Sequence, residues 1–93
     1  MAIRTKPNEG DTIIINKKYF DDNILIAQYF PNLVHGKPFE IVKIVILIDD
    51  IWGISSLRDT DTGEVMDIST VDELKDYWCI LDADDSYRVV PNY

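Results

Sequence analysis

The chain has too little of several residue types to support many common functions. Its 93 residues include one cysteine and one histidine, so an internal disulfide is excluded and a catalytic nucleophile has few partners to draw on. The longest apolar run, Ile44 to Ile48, covers five residues, whereas a membrane-spanning helix needs about 20. The lone cysteine is also typical of a reducing compartment. We therefore expect a cytoplasmic protein that does not cross a membrane.

Positive charge is scarce as well, and its distribution is uneven. Nine Lys and Arg face seventeen Asp and Glu, for a net charge of −8, and residues 47–93 hold twelve of the acids but three of the bases. A protein that binds nucleic acid must neutralise phosphates with Lys and Arg, so direct nucleic-acid binding is not expected. The twelve acids are the candidate partner-binding residues: Asp49, Asp50, Asp59, Asp61, Glu64, Asp67, Asp72, Glu73, Asp76, Asp82, Asp84 and Asp85.

Length and composition predict one globular domain spanning residues 1–93. At 46% hydrophobic and 28% charged, the chain has the composition of a folded protein, and a chain this short cannot divide its core in two. We expect a polar leader over residues 1–10, a barrel over residues 10–81 and an acidic tail over residues 82–93.

The apolar residues predict mainly β structure. Residues 12–20 are β-branched and aromatic, as in a strand, and residues 24–30 form either a short helix or a loop that plugs a barrel. Residues 39–48 are apolar on both faces, which is typical of a central or doubly covered strand, and residues 51–58 return beside them.

The second half carries turn and helix signals. Residues 59–63 close on a glycine between two strand-like runs, which predicts a hairpin with Gly63 in the left-handed conformation. Thr70 and Glu73 have the spacing of a capping box, so a short helix should follow and lead into a closing strand over residues 77–81. Residues 87–90 offer one more strand. The predicted fold is a small barrel of five or six short antiparallel strands, with one short helix before the closing strand.

The segments 10–15, 36–42, 59–63 and 71–75, with 78–81 after them, resemble the small SH3-like barrels of bacteriophage and mobile-element proteins. Such barrels often open with Gly-Asp and a strand, as at Gly10 and Asp11, and enter the second strand through a Gly-Lys pair, as at Gly36 and Lys37. The resemblance implies an SH3-like fold and identifies no catalytic residue.

Three groups of residues invite chemical interpretations that we reject. Asp59, Asp61, Glu64 and Asp67 lack the glycine and glutamate positions of a calcium-binding EF-hand loop. The neighbours Asp49 and Asp50 would point to opposite faces of a strand. His35 falls in a predicted turn and Cys79 in a predicted core strand, so they are not expected to pair. The sequence therefore predicts no enzyme, no metal and no cofactor.

The leading hypothesis is a non-enzymatic acidic module that docks on a basic protein surface. It predicts a phage-encoded inhibitor, of the anti-CRISPR or anti-restriction type, acting as a DNA mimic on a host nucleic-acid-handling enzyme. The alternative is an accessory SH3-like subunit that self-associates through residues 24–33 or through an unpaired edge of the 39–48 strand.

Overall fold

The computed structural model describes residues 7–48, 51–82 and 86–90. Five antiparallel strands form one open sheet in the order β4-β3-β2-β1-β5, which confirms the predicted mainly β fold. Two short helices follow the first strand, and two turns of 3-10 helix precede the last. The elements are β1 (Thr12–Ile15), α1 (Lys17–Asp22), α2 (Ile24–Tyr29), β2 (Pro38–Ile48), β3 (Ile51–Asp59), β4 (Val65–Asp67), the 3-10 turns Ile68–Thr70 and Asp72–Leu74, and β5 (Tyr87–Val90). None of the helices in these ranges is long and apolar enough to span a membrane.

The first predicted strand is shorter than expected. It ends at Ile15, and the chain enters α1 at Lys17, although Tyr19 and Phe20 have high strand propensity. Tertiary contacts explain the difference, because the helix buries Tyr19 and lets its hydroxyl donate to the carbonyl of Ile80 at 2.9 Å. The helix predicted next is present as α2, which buries Ile26.

The apolar pattern of residues 39–48 predicted a central or doubly covered strand, and β2 is indeed the central strand of the sheet. The strand that is buried along most of its length, however, is β3. Residues 52–57 of β3 are all buried, whereas burial in β2 fades from Phe39 and Ile41 to an exposed end at Ile48. Residues 80–81 lie along an edge of β3, where Ile54 forms an isolated antiparallel bridge with Leu81, and the side chains of Trp78 and Cys79 lie close to Gly53. The predicted closing strand over residues 77–81 is therefore reduced to this bridge.

The predicted capping box is absent, and another residue caps the turn. Asp67 Oδ1 accepts hydrogen bonds from the backbone nitrogen of Ser69 at 2.9 Å and from its hydroxyl at 2.6 Å. The Thr70 hydroxyl donates back to the carbonyl of Asp67 at 2.7 Å, so it does not cap the turn that contains Glu73. The predicted short helix is consequently divided into two 3-10 turns.

The first and last described segments of the chain both contact the sheet. Gly10 N donates to Ile41 O at 2.8 Å, at the end of the predicted leader. The strand β5, within the predicted acidic tail, pairs with all four residues of β1. It buries Tyr87, so this part of the tail belongs to the fold.

Candidate functional site

The turn between β3 and β4 is organised by the carboxylate of Asp59. Only 1% of this side chain is exposed, and its Oδ2 accepts a hydrogen bond from Lys37 Nζ at 2.7 Å. Oδ1 accepts from the backbone nitrogens of Asp61 at 2.8 Å and Thr62 at 3.4 Å. The predicted left-handed glycine is confirmed, since Gly63 has φ of 78°. Both oxygens of Asp59 are therefore used inside the turn.

This geometry corrects the prediction that Asp59 faces a partner. The hydrogen bond from Lys37 is the main cause that holds the pKa of Asp59 below its usual value, and the same bond raises the pKa of Lys37. The lysine comes from the front half of the chain and also lies 3.6 Å from the carboxylate of Asp61. Asp59 thus has a structural role, and the same contacts occupy the carboxylate that a calcium site would need.

The other described acids of this half are exposed, with Asp67 half-buried. The exposed residues are Asp61, Glu64, Asp72, Glu73, Asp76 and Asp82. The first two lie on the β3–β4 turn, and the next three lie on or just after the second 3-10 turn. β4 and the first 3-10 turn separate the two groups along the chain. Asp49, Asp50, Asp84 and Asp85 lie outside the described residues.

Two of these acids also make contacts within the chain. Glu64 Oε2 accepts a hydrogen bond from Asn32 Nδ2 at 2.5 Å. Burial alone would raise the pKa of Asp67. The hydrogen bonds that its carboxylate accepts, chiefly from Ser69, have the larger combined effect and lower this pKa. The carboxylates of Glu64 and Asp67 are therefore partly used in contacts within the chain.

The sequence interpretation missed a second surface, at the far end of the β2–β3 hairpin. Its four aliphatic side chains are largely exposed: Ile46 at 56%, Leu47 at 53%, Ile48 at 64% and Ile51 at 44%. We call this set the hairpin tip. Its base is anchored in the core, because Trp52, which pairs with Ile46, is 3% exposed. Exposed apolar side chains gathered at one end of a hairpin can mark an interaction site.

The edge of β2 beside the hairpin tip is open. The strand β1 pairs with Pro38, Phe39 and Glu40, and further along the Ile44 nitrogen donates to the side chain of Glu9 at 3.0 Å. Beyond that point, no strand among the described ranges pairs with β2 on the side away from β3. Exposed strand edges can accept another chain. The apolar run predicted a central or doubly covered strand, and the self-association alternative allowed for an unpaired edge. Which part of that edge is open depends on the length of β1, which the sequence pattern did not predict.

The two residues considered for nucleophilic chemistry lie in different settings. Cys79 is buried and packs against Gly53 in the covered part of β3. His35 is exposed in the loop before β2, with its ring 6.3 Å from that of Phe20. Each residue therefore has a local packing environment that explains it without catalysis.

Comparison with known proteins identifies an inhibitor family. A family model described as PinA peptidase inhibitor matches residues 12–89, from the first residue of β1 into β5. The chain therefore belongs to this family. No curated protein and no solved structure matches significantly. The match supports the inhibitor part of the sequence prediction, whereas nothing in the comparisons supports the SH3-like or mobile-element resemblance.

Proposed function

We propose that this member of the PinA peptidase inhibitor family binds a peptidase as a folded, non-catalytic domain and blocks proteolysis. The observation that carries the proposal is the family match across residues 12–89, which covers nearly the whole sheet. An inhibitor needs a rigid surface complementary to its target, and a small sheet with a filled core provides one. The single buried cysteine is consistent with action in the cytoplasm.

The acidic side chains are proposed to attract the peptidase electrostatically. Because Asp59 is internally paired, the proposed contact set is the other eleven acids of residues 47–93, with Asp72, Glu73 and Asp76 among those the structure shows as exposed. Negative charge on one partner accelerates association with a basic surface on the other and is screened by salt. We therefore propose that the target peptidase presents a basic surface near its inhibitor site.

Inhibition assays test the proposal directly. Hydrolysis of fluorescein-labelled casein is measured with purified serine, cysteine, aspartic, metallo and ATP-dependent peptidases from bacteria, with and without the protein. We expect at least one peptidase class to be inhibited at stoichiometric concentrations. If every class cleaves casein at an unchanged rate, the proposed function is wrong.

Neutralising substitutions test the electrostatic part. Replacing Asp72 and Asp76 together by Asn should slow association with the inhibited peptidase by roughly 2–10-fold at low salt and should flatten its salt dependence. The matched control neutralises Asp21 and Asp22, two exposed acids of α1, and should have little effect. Binding that is unchanged in 1 M salt would exclude electrostatic docking as the mechanism.

The target peptidase could more specifically be one that also handles nucleic acid, as the sequence predicts for the host enzyme. If the acids imitate DNA phosphates, the basic surface they contact should also bind duplex DNA, and DNA should compete with the inhibitor for it. Competition by duplex DNA would support this version. Inhibition that DNA does not affect would leave a peptidase inhibitor that is not a DNA mimic.

Self-association remains the second candidate function, because the edge of β2 beside Ile44–Ile48 is open in the described part of the sheet. Static light scattering distinguishes the two. A stable oligomer at micromolar concentration favours a self-associating subunit, whereas a monomer favours an inhibitor whose partner is another protein.

A further inference from the structure

The hairpin tip is an exposed apolar surface that the charge-based mechanism does not use. Its residues Ile46, Leu47, Ile48 and Ile51 stay between 44% and 64% exposed. The tip is held in place from its base, where Ile44 pairs with the fully buried Ile54 and Ile46 pairs with the buried Trp52. An apolar group on such an anchored support is pre-organised for binding, because little conformational entropy is lost on docking.

The charge distribution indicates what covers this surface. In sequence, Asp49 and Asp50 directly connect Ile48 to Ile51, and the chain carries a net charge of −8. A second copy carries the same net charge of −8, and like-charge repulsion opposes its approach. A partner with an apolar depression and basic groups at its rim would instead match both the aliphatic side chains and the acidic character of the chain.

Resting on the proposed function, we propose that the hairpin tip is the apolar centre of the peptidase interface and that it docks in an apolar depression with a basic rim. Protein interfaces commonly concentrate their binding energy in a small central cluster, with charged groups around it. In this arrangement the acids govern how fast the complex forms, and the hairpin tip governs how slowly it dissociates.

Two double variants distinguish the contribution of the hairpin tip to binding from that of other exposed apolar side chains. The test variant combines Ile46→Ser and Ile48→Ser. The matched control combines Ile24→Ser and Leu25→Ser on α2, where the side chains are 62% and 41% exposed. All four positions are exposed, so both variants should retain the wild-type circular dichroism spectrum and melt within a few degrees of the wild type, which is checked first.

The variants are compared in the casein assay with the peptidase that the wild type inhibits. We expect the test variant to need at least about tenfold more protein for half-inhibition, through faster dissociation, and the control to stay within about twofold of wild type. The loss should be the same at low and high salt, because an apolar contact is not screened. The Asp72/Asp76 double Asn variant should differ from wild type mainly at low salt.

Three results would overturn the inference, and they are distinguishable. If the wild type inhibits and the hairpin variant inhibits equally well, the tip is not in the interface although the proposed function stands. If sedimentation shows a wild-type dimer that the hairpin variant dissociates, the occupant is a second copy. If the wild type inhibits no peptidase, the proposed function fails and this inference fails with it.

Discussion

Gly53 offers the sharpest test of the packing that supports the hairpin. It lies in β3 beside residues 78–81, and its backbone conformation is one that any residue adopts. A Cβ added there would lie 2.6 Å from Cys79 Sγ, 2.7 Å from Cys79 Cβ and 2.9 Å from a ring carbon of Trp78. Carbon atoms in contact normally stay about 3.5–4.0 Å apart. A Gly53→Ala substitution therefore requires residues 78–79 to move back by roughly 1 Å.

That movement is opposed by the backbone. Ile54 N donates to Leu81 O at 2.7 Å, and Ile80 N donates to Ile54 O at 2.7 Å. Residues 80–81 are therefore hydrogen-bonded to β3 next to the clash. Overpacking of this kind costs about 1–3 kcal/mol. Replacing glycine in a strand returns roughly 0.5–1 kcal/mol of backbone entropy, which leaves a net loss centred near roughly 1 kcal/mol. For a domain of this size, that lowers Tm by roughly 4–8 °C per kcal/mol.

The assay is urea and thermal unfolding of a double-mutant cycle with Cys79→Ala. Removing the sulfur atom relieves the closest contact, so the double variant should be more stable than the sum of the two single effects predicts, by at least about 0.5 kcal/mol. A Gly53→Ala protein as stable as the wild type would refute the reasoning, since it would mean that β3 is not closely covered on this face. Strict additivity with Cys79→Ala would refute the assignment of the clash to the sulfur.

Three further predictions concern internal contacts. The hydrogen bond from Lys37 lowers the pKa of Asp59. This pair should therefore stabilise the fold above pH about 4, the pKa of an unfolded-state aspartate, and lose that effect as the pH falls through the lower folded pKa. Between pH 6 and pH 2, the urea midpoint of the wild type should fall more steeply than that of Asp59→Asn. Gly63→Ala should cost about 1–2 kcal/mol in chemical unfolding because of the left-handed backbone, and Gly63→Asn should cost less. Tyr19→Phe should cost about 1–3 kcal/mol by removing the hydrogen bond to the Ile80 carbonyl. Because burial raises the pKa of Tyr19, ultraviolet titration of the wild type should show a component that ionises only on alkaline unfolding and that Tyr19→Phe lacks.

The parts of the fold that the sequence predicted correctly depend on local signals. The Gly63 turn follows from a glycine that closes a short polar loop between two strand-like runs, and β2 and β3 follow from their apolar content. α1 could not be predicted in this way, because Tyr19 has strand propensity and becomes helical only through its contacts with the distant Ile80. Similarly, Thr70 and Glu73 satisfied a helix-capping pattern that Asp67 displaced.

The candidate site likewise has features that the sequence predicts and features that depend on contacts between distant residues. Composition identified an acidic half, but it could not tell that Asp59 would be buried against Lys37, a contact between residues 22 positions apart in the chain. The apolar pattern of β2 was recognised, yet whether its second half is covered depends on where β1 begins and ends. The exposed hairpin tip is thus a consequence of strand lengths, which residue patterns determine poorly.

The acidic composition explains how the protein can expose the apolar hairpin tip without aggregating. Four aliphatic side chains that are 44–64% exposed beside an open strand edge would normally favour aggregation. A net charge of −8 opposes the approach of another copy while attracting a basic partner. On the proposed mechanism, the charge therefore keeps the apolar surface available for the peptidase. A variant in which several exposed acids are replaced by Asn should then aggregate through the hairpin tip, and adding Ile46→Ser and Ile48→Ser to it should restore a monomer in light scattering. Aggregation that persists in the combined variant would show that the charge protects some other surface.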